Sequence, residues 1–194
     1  MANPNFSRSR VRRWLQMATS ILAFFVIAVH AETTWPSFDQ FRVAEVFSGK
    51  PAPPILRTPG DRLFRTKIRQ GATKGPNFAG HYSIIEWGCG TSCVSLALVD
   101  ARTGEVYGPP WALYSPQVSG SRFGSLGYGS TLRFEDGSST QDNDAVSYKL
   151  NSRLLIVRGC PNDKSCGVYY HEWIGTAFKL LRKGAAVQIS PNTN

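Results

Sequence analysis

The residue types that could do chemistry gather in residues 75–93, which hold a histidine, a glutamate and two cysteines. An imidazole can act as a general base or a metal ligand, and a carboxylate can orient it. His81 is therefore a candidate catalytic residue, with Glu86 as the nearest acid. Successive strand residues face opposite sides, so one regular strand would hold these two roughly 16 Å apart. A partner must come from another strand, and His171 and Glu172 are the candidates.

The four cysteines predict two disulfides, provided that the chain is exported. Three pairings are possible. We favour the local one, Cys89–Cys93 with Cys160–Cys166, because each pair brackets a short turn. The spacings fit no common zinc site, and the C-x-x-C of a thioredoxin-type centre is absent. The sequence therefore predicts neither a metal site nor a cofactor.

A second group of residues could bind a ligand without catalysis. Aromatic rings stack on sugars and contribute much of the energy of protein interfaces. Trp111 and Tyr128 are flanked by Gly, Pro or Ser, so we expect both to be exposed. With Asn77, His81 and Trp87 they form the predicted ligand-binding set. Core packing of the aromatic residues is the alternative.

Two further kinds of site are disfavoured. An acidic patch could bind calcium, but its spacing misses the EF-hand pattern, and such clusters are ordinary in solvated turns. It comprises Glu135, Asp136, Asp142 and Asp144. A serine nucleophile finds no support either, since residues 120–124 have the wrong order for a nucleophile elbow.

The first 31 residues predict export. Four arginines precede an apolar run over residues 21–29, and Val29-His30-Ala31 fits a signal-peptidase cleavage pattern. An uncleaved membrane anchor is the alternative, although the run is short of the ~20 residues that a span needs. Without residues 1–31 the formal charge falls from +9 to +5, because they hold four arginines and no acid. We expect a periplasmic or secreted protein that meets the membrane only transiently, through its signal peptide.

The remaining positive charge does not predict a nucleic-acid partner. It is moderate, and no Lys/Arg-rich run of the kind typical of nucleic-acid binding is present. Weak attraction to anionic envelope surfaces stays open.

The elements that must position these residues are mostly strands. An extended, proline- and aromatic-rich lead-in is predicted over residues 32–57. A β-rich domain follows over 58–183, and 184–194 is predicted to be a flexible tail. The domain opens with an amphipathic helix over 58–72, with Thr58 as its N-cap and Pro59 in its first turn. We predict a mainly β (α+β) fold, a single antiparallel sheet or sandwich with this helix packed against it.

Three hairpins are predicted from alternation and turn residues. The first turns at residues 100–104, where Gly104 suits a left-handed position. The second pairs residues 146–149 with 153–158. The third pairs residues 169–173 with 177–181. A strand from residue 78 precedes them, and an apolar strand over 94–99 leads into the first turn.

Several motifs together resemble those of a family of uncharacterised exported bacterial proteins. They are GPNFAGHY at 75–82, WGCGTSC at 87–93, DARTG at 100–104 and YYHEWIG at 169–175. The likeness covers most of residues 36–181, and the long segment around 115–144 and the second cysteine pair depart from it. The resemblance implies a bacterial, extracytoplasmic, single-domain protein. It brings no activity, substrate or catalytic residue.

Together these patterns predict an exported β-rich module that binds an envelope ligand or partner protein. Its recognition surface would combine residues 77–93 with the aromatic loop 108–130. The alternative is a hydrolase that uses His81 with a carboxylate from another strand. The sequence alone does not decide whether the protein is an enzyme.

Overall fold

The structure, a computed structural model, describes residues 34–112, 123–129, 132–142 and 144–187. The predicted signal peptide, residues 113–122 of the predicted aromatic loop 108–130 and the end of the predicted tail lie outside these ranges. A compact unit begins at Trp35. No helix in the described ranges has the length and apolar character needed to cross a membrane.

The predicted lead-in is part of the domain and does not stand apart from it. Phe38–Phe41 form a short 3-10 helix, and Arg42 makes an antiparallel bridge with Ser152. The ring of Trp35 stacks on Tyr170, with centroids 5.5 Å apart. Apolar side chains of the lead-in thus cover one face of the sheet, which explains the aromatic content of this segment.

Two short helices replace the single predicted helix. They are α1 (Pro59–Leu63) and α2 (Arg65–Ala72). Thr58 caps α1 as predicted, its hydroxyl accepting from the backbone N–H of Asp61 at 3.1 Å. Phe64 leaves helical geometry, with φ −98° and ψ 17°, and its ring lies 4.8 Å from that of Trp87. The helix is thus interrupted at Phe64, where the ring packs against Trp87 of the sheet.

The described strands form one antiparallel sheet, as the sequence predicted. In chain order they are β1 (Tyr82–Gly90), β2 (Cys93–Asp100), β3 (Val106–Tyr107), β4 (Leu126–Gly127), β5 (Arg133–Phe134), β6 (Val146–Tyr148), β7 (Leu154–Pro161), β8 (Gly167–Trp173) and β9 (Phe178–Val187). All three predicted hairpins are present, as β2–β3, β6–β7 and β8–β9. Because β9 continues to Val187, the predicted tail from residue 184 begins too early.

The two-residue strand β4 joins the two halves of the sheet. The main order is β1-β2-β4-β7-β8-β9-β5, with β3 paired to β2 and β6 paired to β7. Gly127 of β4 pairs with Cys93 on one side and with Cys160 on the other. The two disulfides, Cys89–Cys93 and Cys160–Cys166, therefore lie on neighbouring hairpin tips. This is the local pairing that the sequence favoured.

The sheet curls so that its two halves face each other. Strands β1 and β8 are not neighbours in the sheet, yet the rings of Tyr82 and Trp173 lie 5.2 Å apart. They belong to the largest apolar cluster, which also takes side chains from β2, β6 and β7. The helices cover the opposite face of β1 and β2, where Ile68 packs with Ile85.

Candidate functional site

An open cleft of about 840 Å³ lies where β1, β2 and β6 border the loop before β6. Both segments that the sequence proposed for recognition reach it, one through Glu86 and the other through Tyr128. The lead-in contributes Phe38, over whose ring the Nζ atom of Lys149 lies 4.8 Å from the centroid. The cleft thus combines aromatic rings with charged groups, as ligand sites commonly do.

Glu86 and Tyr148 form the central polar contact of this cleft. The Tyr148 hydroxyl donates to Glu86 Oε1 at 2.9 Å. The surrounding protein desolvates Glu86 and raises its pKa, which the hydrogen bond from Tyr148 lowers in part and the charge of Asp144 raises further. Burial and the negative charge of Glu86 raise the pKa of Tyr148, so the phenol stays protonated as a donor.

The acidic patch separates into two parts. Asp142 and Asp144 line the cleft, and Asp142 Oδ2 accepts a hydrogen bond of 2.6 Å from the Ser139 hydroxyl. Asp136 instead accepts from the Tyr170 hydroxyl at 2.6 Å. In the described ranges no three His, Cys, Asp or Glu residues are placed to hold a metal ion.

His81 lies in a second, smaller cavity of about 230 Å³. Its Nε2 atom is 3.9 Å from Asp100 Oδ2, which is beyond hydrogen-bond distance. Burial lowers the pKa of His81, the charge of Asp100 raises it, and Arg102 lowers it. Glu86 lies in the other cavity, in agreement with the strand argument that separated the two residues.

The His81 cavity offers little for nucleophilic catalysis. Its described lining includes no serine, threonine or cysteine. The hydroxyl of Tyr82 is the nearest alternative, and it donates to the carbonyl oxygen of Gly175 at 3.4 Å. The one reaction that this geometry could assist is attack by a water molecule, with His81 as the base.

The two candidate partners on β8 do not reach His81. Glu172 pairs with Arg153, whose Nη1 atom lies 2.9 Å from Oε1. His171 is only 8% exposed, and its Nδ1 atom has no hydrogen-bond partner among the described residues. Burial lowers the pKa of His171 to about 4. The acid nearest His81 is Asp100, at the end of β2.

Three of the five predicted ligand-binding residues, Asn77, Trp87 and Trp111, contribute to the fold and line neither cavity. Both polar atoms of the Asn77 side chain bond to the backbone of Ile84. Nδ2 donates to the carbonyl oxygen at 2.9 Å, and Oδ1 accepts from the N–H at 2.7 Å. Trp87 and Trp111 are each only 6% exposed. The prediction that Trp111 is exposed is therefore wrong, and Tyr128 is half-buried against the largest apolar cluster. Of the five, His81 and Tyr128 line these two cavities.

Sequence reasoning missed Tyr148, the hydrogen-bond partner of Glu86. One signal was present, since Glu86 interrupts an otherwise apolar strand face that carries Tyr82 and Ile84. A lone carboxylate on such a face is a candidate for a polar contact with another strand. The sequence could not identify that partner, because it lies 62 positions further along the chain.

Comparison with known proteins adds no relative. No protein-family model, curated protein or solved structure matches this chain. The resemblance stated from the motifs stays a prediction, and the functional argument rests on the geometry of the two cavities.

Proposed function

We propose that this protein is an exported, extracytoplasmic binding module that takes an envelope ligand in the cleft around Glu86 and Tyr148. The observation that carries the proposal is the cleft itself, in which a carboxylate and a phenol from separate strands meet. Two further carboxylates, those of Asp142 and Asp144, and the ring of Tyr128 complete its lining.

Export is supported by two features that agree. The signal pattern of residues 1–31 predicts secretion. All four cysteines are paired in disulfides, and such bonds persist in oxidising compartments. We therefore place the binding function in the periplasm or outside the cell.

The chemistry of the lining indicates the class of ligand. Carboxylates accept hydrogen bonds from ammonium and hydroxyl groups, and tyrosine rings stack on sugars. A soluble peptidoglycan fragment carries both kinds of group. We propose such a fragment as the ligand, with its ammonium group near Glu86 and its sugar against Tyr128.

Titration with soluble peptidoglycan fragments tests this proposal. We expect Glu86→Gln and Tyr148→Phe each to weaken binding by about tenfold, the loss of one hydrogen bond to a charged group. Glu45→Gln is the matched control, because Glu45 is exposed and lies outside the cleft. No binding by the unaltered protein, or equal loss in all three variants, would overturn the proposal.

The alternative is a hydrolase in which His81 activates water. The observation in its favour is the position of His81 in the second cavity, with Asp100 Oδ2 3.9 Å from its Nε2 atom. On the hydrolase alternative, the protein hydrolyses small esters or amides, and His81→Ala and Asp100→Asn both lower kcat. Turnover that survives His81→Ala would eliminate it.

A further inference from the structure

Nearly all the net charge beyond the predicted signal peptide lies in one short segment. Residues 59–74, which span both helices, contain five cations and one acid, a net charge of +4. The chain from residue 32 onward carries +5 in all, so the rest contributes only +1. Most of the net charge of the domain, though not most of its cations, is therefore on the helical side.

The structure turns these cations toward solvent. Arg62, Arg65, Lys67 and Arg69 are all exposed, whereas Ile68 and Ala72 bury the other face of α2 against the sheet. None of the four forms an ion pair with a carboxylate of the described residues. Arg65 and Arg69 stand four residues apart on α2, where like charges repel each other. An anionic partner would relieve that repulsion.

An exposed apolar side chain lies among these cations in the sequence. Leu63, the last residue of α1, is 62% exposed, which is the highest value among the large apolar residues described. Its neighbour Phe64 packs inward against Trp87 and Phe123. At the break between the helices, Leu63 is therefore exposed to solvent, with Arg62 before it and Arg65 two residues after it in the chain.

We infer that the exposed side of α1 and α2, which carries Arg62, Leu63, Arg65, Lys67 and Arg69, docks on an anionic phospholipid membrane; we call it the basic helix surface. Cations near such a surface are attracted to the phosphate groups. A leucine among them can insert between the lipids, as apolar residues of interfacial helices do. A polysaccharide polyanion would use the cations but would give the leucine no apolar environment, so the lipid fits both features.

The basic helix surface shares no residue with the proposed ligand cleft. No residue of α1 or α2 lines that cleft, and the inference does not depend on what binds there. The sequence left weak attraction to anionic envelope surfaces open, and the exposed cations of α1 and α2 give that attraction a location.

Vesicle co-sedimentation tests the inference with the chain lacking residues 1–31, which retains the compact unit from Trp35. We expect binding to vesicles of phosphatidylcholine with phosphatidylglycerol, and none to phosphatidylcholine alone. Raising the salt from about 0.1 M to about 1 M, which shortens the Debye length from ~10 Å to ~3 Å, should release the protein. The triple variant Arg65→Gln, Lys67→Gln, Arg69→Gln should bind on the order of 100-fold more weakly.

Matched controls distinguish the effect of this surface from the effect of the protein's net charge. Three exposed cations elsewhere, Arg133, Lys164 and Lys179, are changed to Gln together and should lower binding far less. Leu63→Ala should weaken vesicle binding but leave binding to dextran sulfate unchanged, whereas Leu180→Ala, at a 51% exposed leucine, should affect neither. The inference would be overturned if both triple variants lost vesicle binding equally, or if Leu63→Ala bound vesicles as well as the unaltered protein. Binding to dextran sulfate without binding to vesicles would also overturn it.

Discussion

The hydroxyl of Tyr148 donates to Oε1 of Glu86 at 2.9 Å, joining β6 to β1. These strands are not neighbours in the sheet, because β1 pairs with β2 and β6 pairs with β7. The contact therefore exists only because the sheet curls. It places a phenol hydroxyl and the exposed carboxylate of Glu86 together in the cleft.

Removing the Tyr148 hydroxyl should raise the pKa of Glu86 further. Desolvation already raises that pKa, and the hydrogen bond from Tyr148 is what lowers it. Titration of the Glu86 carboxyl by carbon NMR in Tyr148→Phe measures the effect. Tyr107→Phe is the control, since Tyr107 does not line the cleft. An unchanged Glu86 pKa in Tyr148→Phe would show that the contact is absent in solution.

Burial of His171 should make the protein less stable in acid. Its pKa is about 4 in the folded state, against ~6.5 in the unfolded chain. Between these values the unfolded state binds the extra proton, so stability falls as the pH drops from ~6.5 to ~4. The full loss from this group is about 3 kcal/mol.

Urea unfolding across this pH range checks the His171 prediction. We expect the pH dependence to flatten in His171→Phe, which keeps a ring of similar size but cannot be protonated. His81→Asn, at the more exposed histidine, should change the slope much less. A His171→Phe profile parallel to that of the unaltered protein would contradict the prediction.

Gly159→Ala should weaken the junction between the two halves of the sheet. Gly159 has φ +142°, and an added Cβ would lie 2.3 Å from the carbonyl oxygen of Gly127 in β4. We expect destabilisation of at least ~2 kcal/mol, since backbone must move to admit the methyl group. Gly137→Ala is the control, because Gly137 has φ +83° with nothing within 4 Å of the new Cβ. Thermal melts of both variants compare the two costs, and equal costs would refute the clash.

Tyr170→Phe should destabilise the fold through Asp136. Burial raises the pKa of Asp136, but hydrogen bonds from Ser138 and Tyr170 outweigh it and hold that pKa below its usual value. Losing the Tyr170 bond of 2.6 Å to this carboxylate should cost about 2 kcal/mol. Tyr169→Phe at the adjacent, half-buried position loses only a bond to a backbone carbonyl and should cost less. Denaturant unfolding that ranks the two variants in the opposite order would contradict this assignment.

Local features of the fold could be predicted from the sequence. The Thr58 cap, the turn at Gly104 and the pairing of cysteines within each hairpin depend on residues close in the chain. Strand alternation likewise separated His81 from Glu86. Each of these follows from backbone geometry and turn chemistry over a few residues.

The cleft and the burial of Trp111 depend on distant contacts. Trp111 lies between proline and alanine in a segment typical of an exposed loop. Asn162 holds this segment against the β7–β8 tip, donating to the Trp111 carbonyl oxygen at 2.7 Å and accepting from the N–H of Ser125 at 3.2 Å. Periodicity reports which side of a strand is apolar, but it does not report which strands meet when the sheet curls.

The most direct test of the proposed function is to map ligand contacts by amide NMR during titration with soluble peptidoglycan fragments. We predict shift changes concentrated at Glu86, Val94, Tyr128 and residues 145–149, which line the cleft. The amides of Glu45, Ala79 and Gly175 around the His81 cavity should stay unchanged. Shifts confined to the His81 cavity, or none at saturating fragment concentration, would contradict the account.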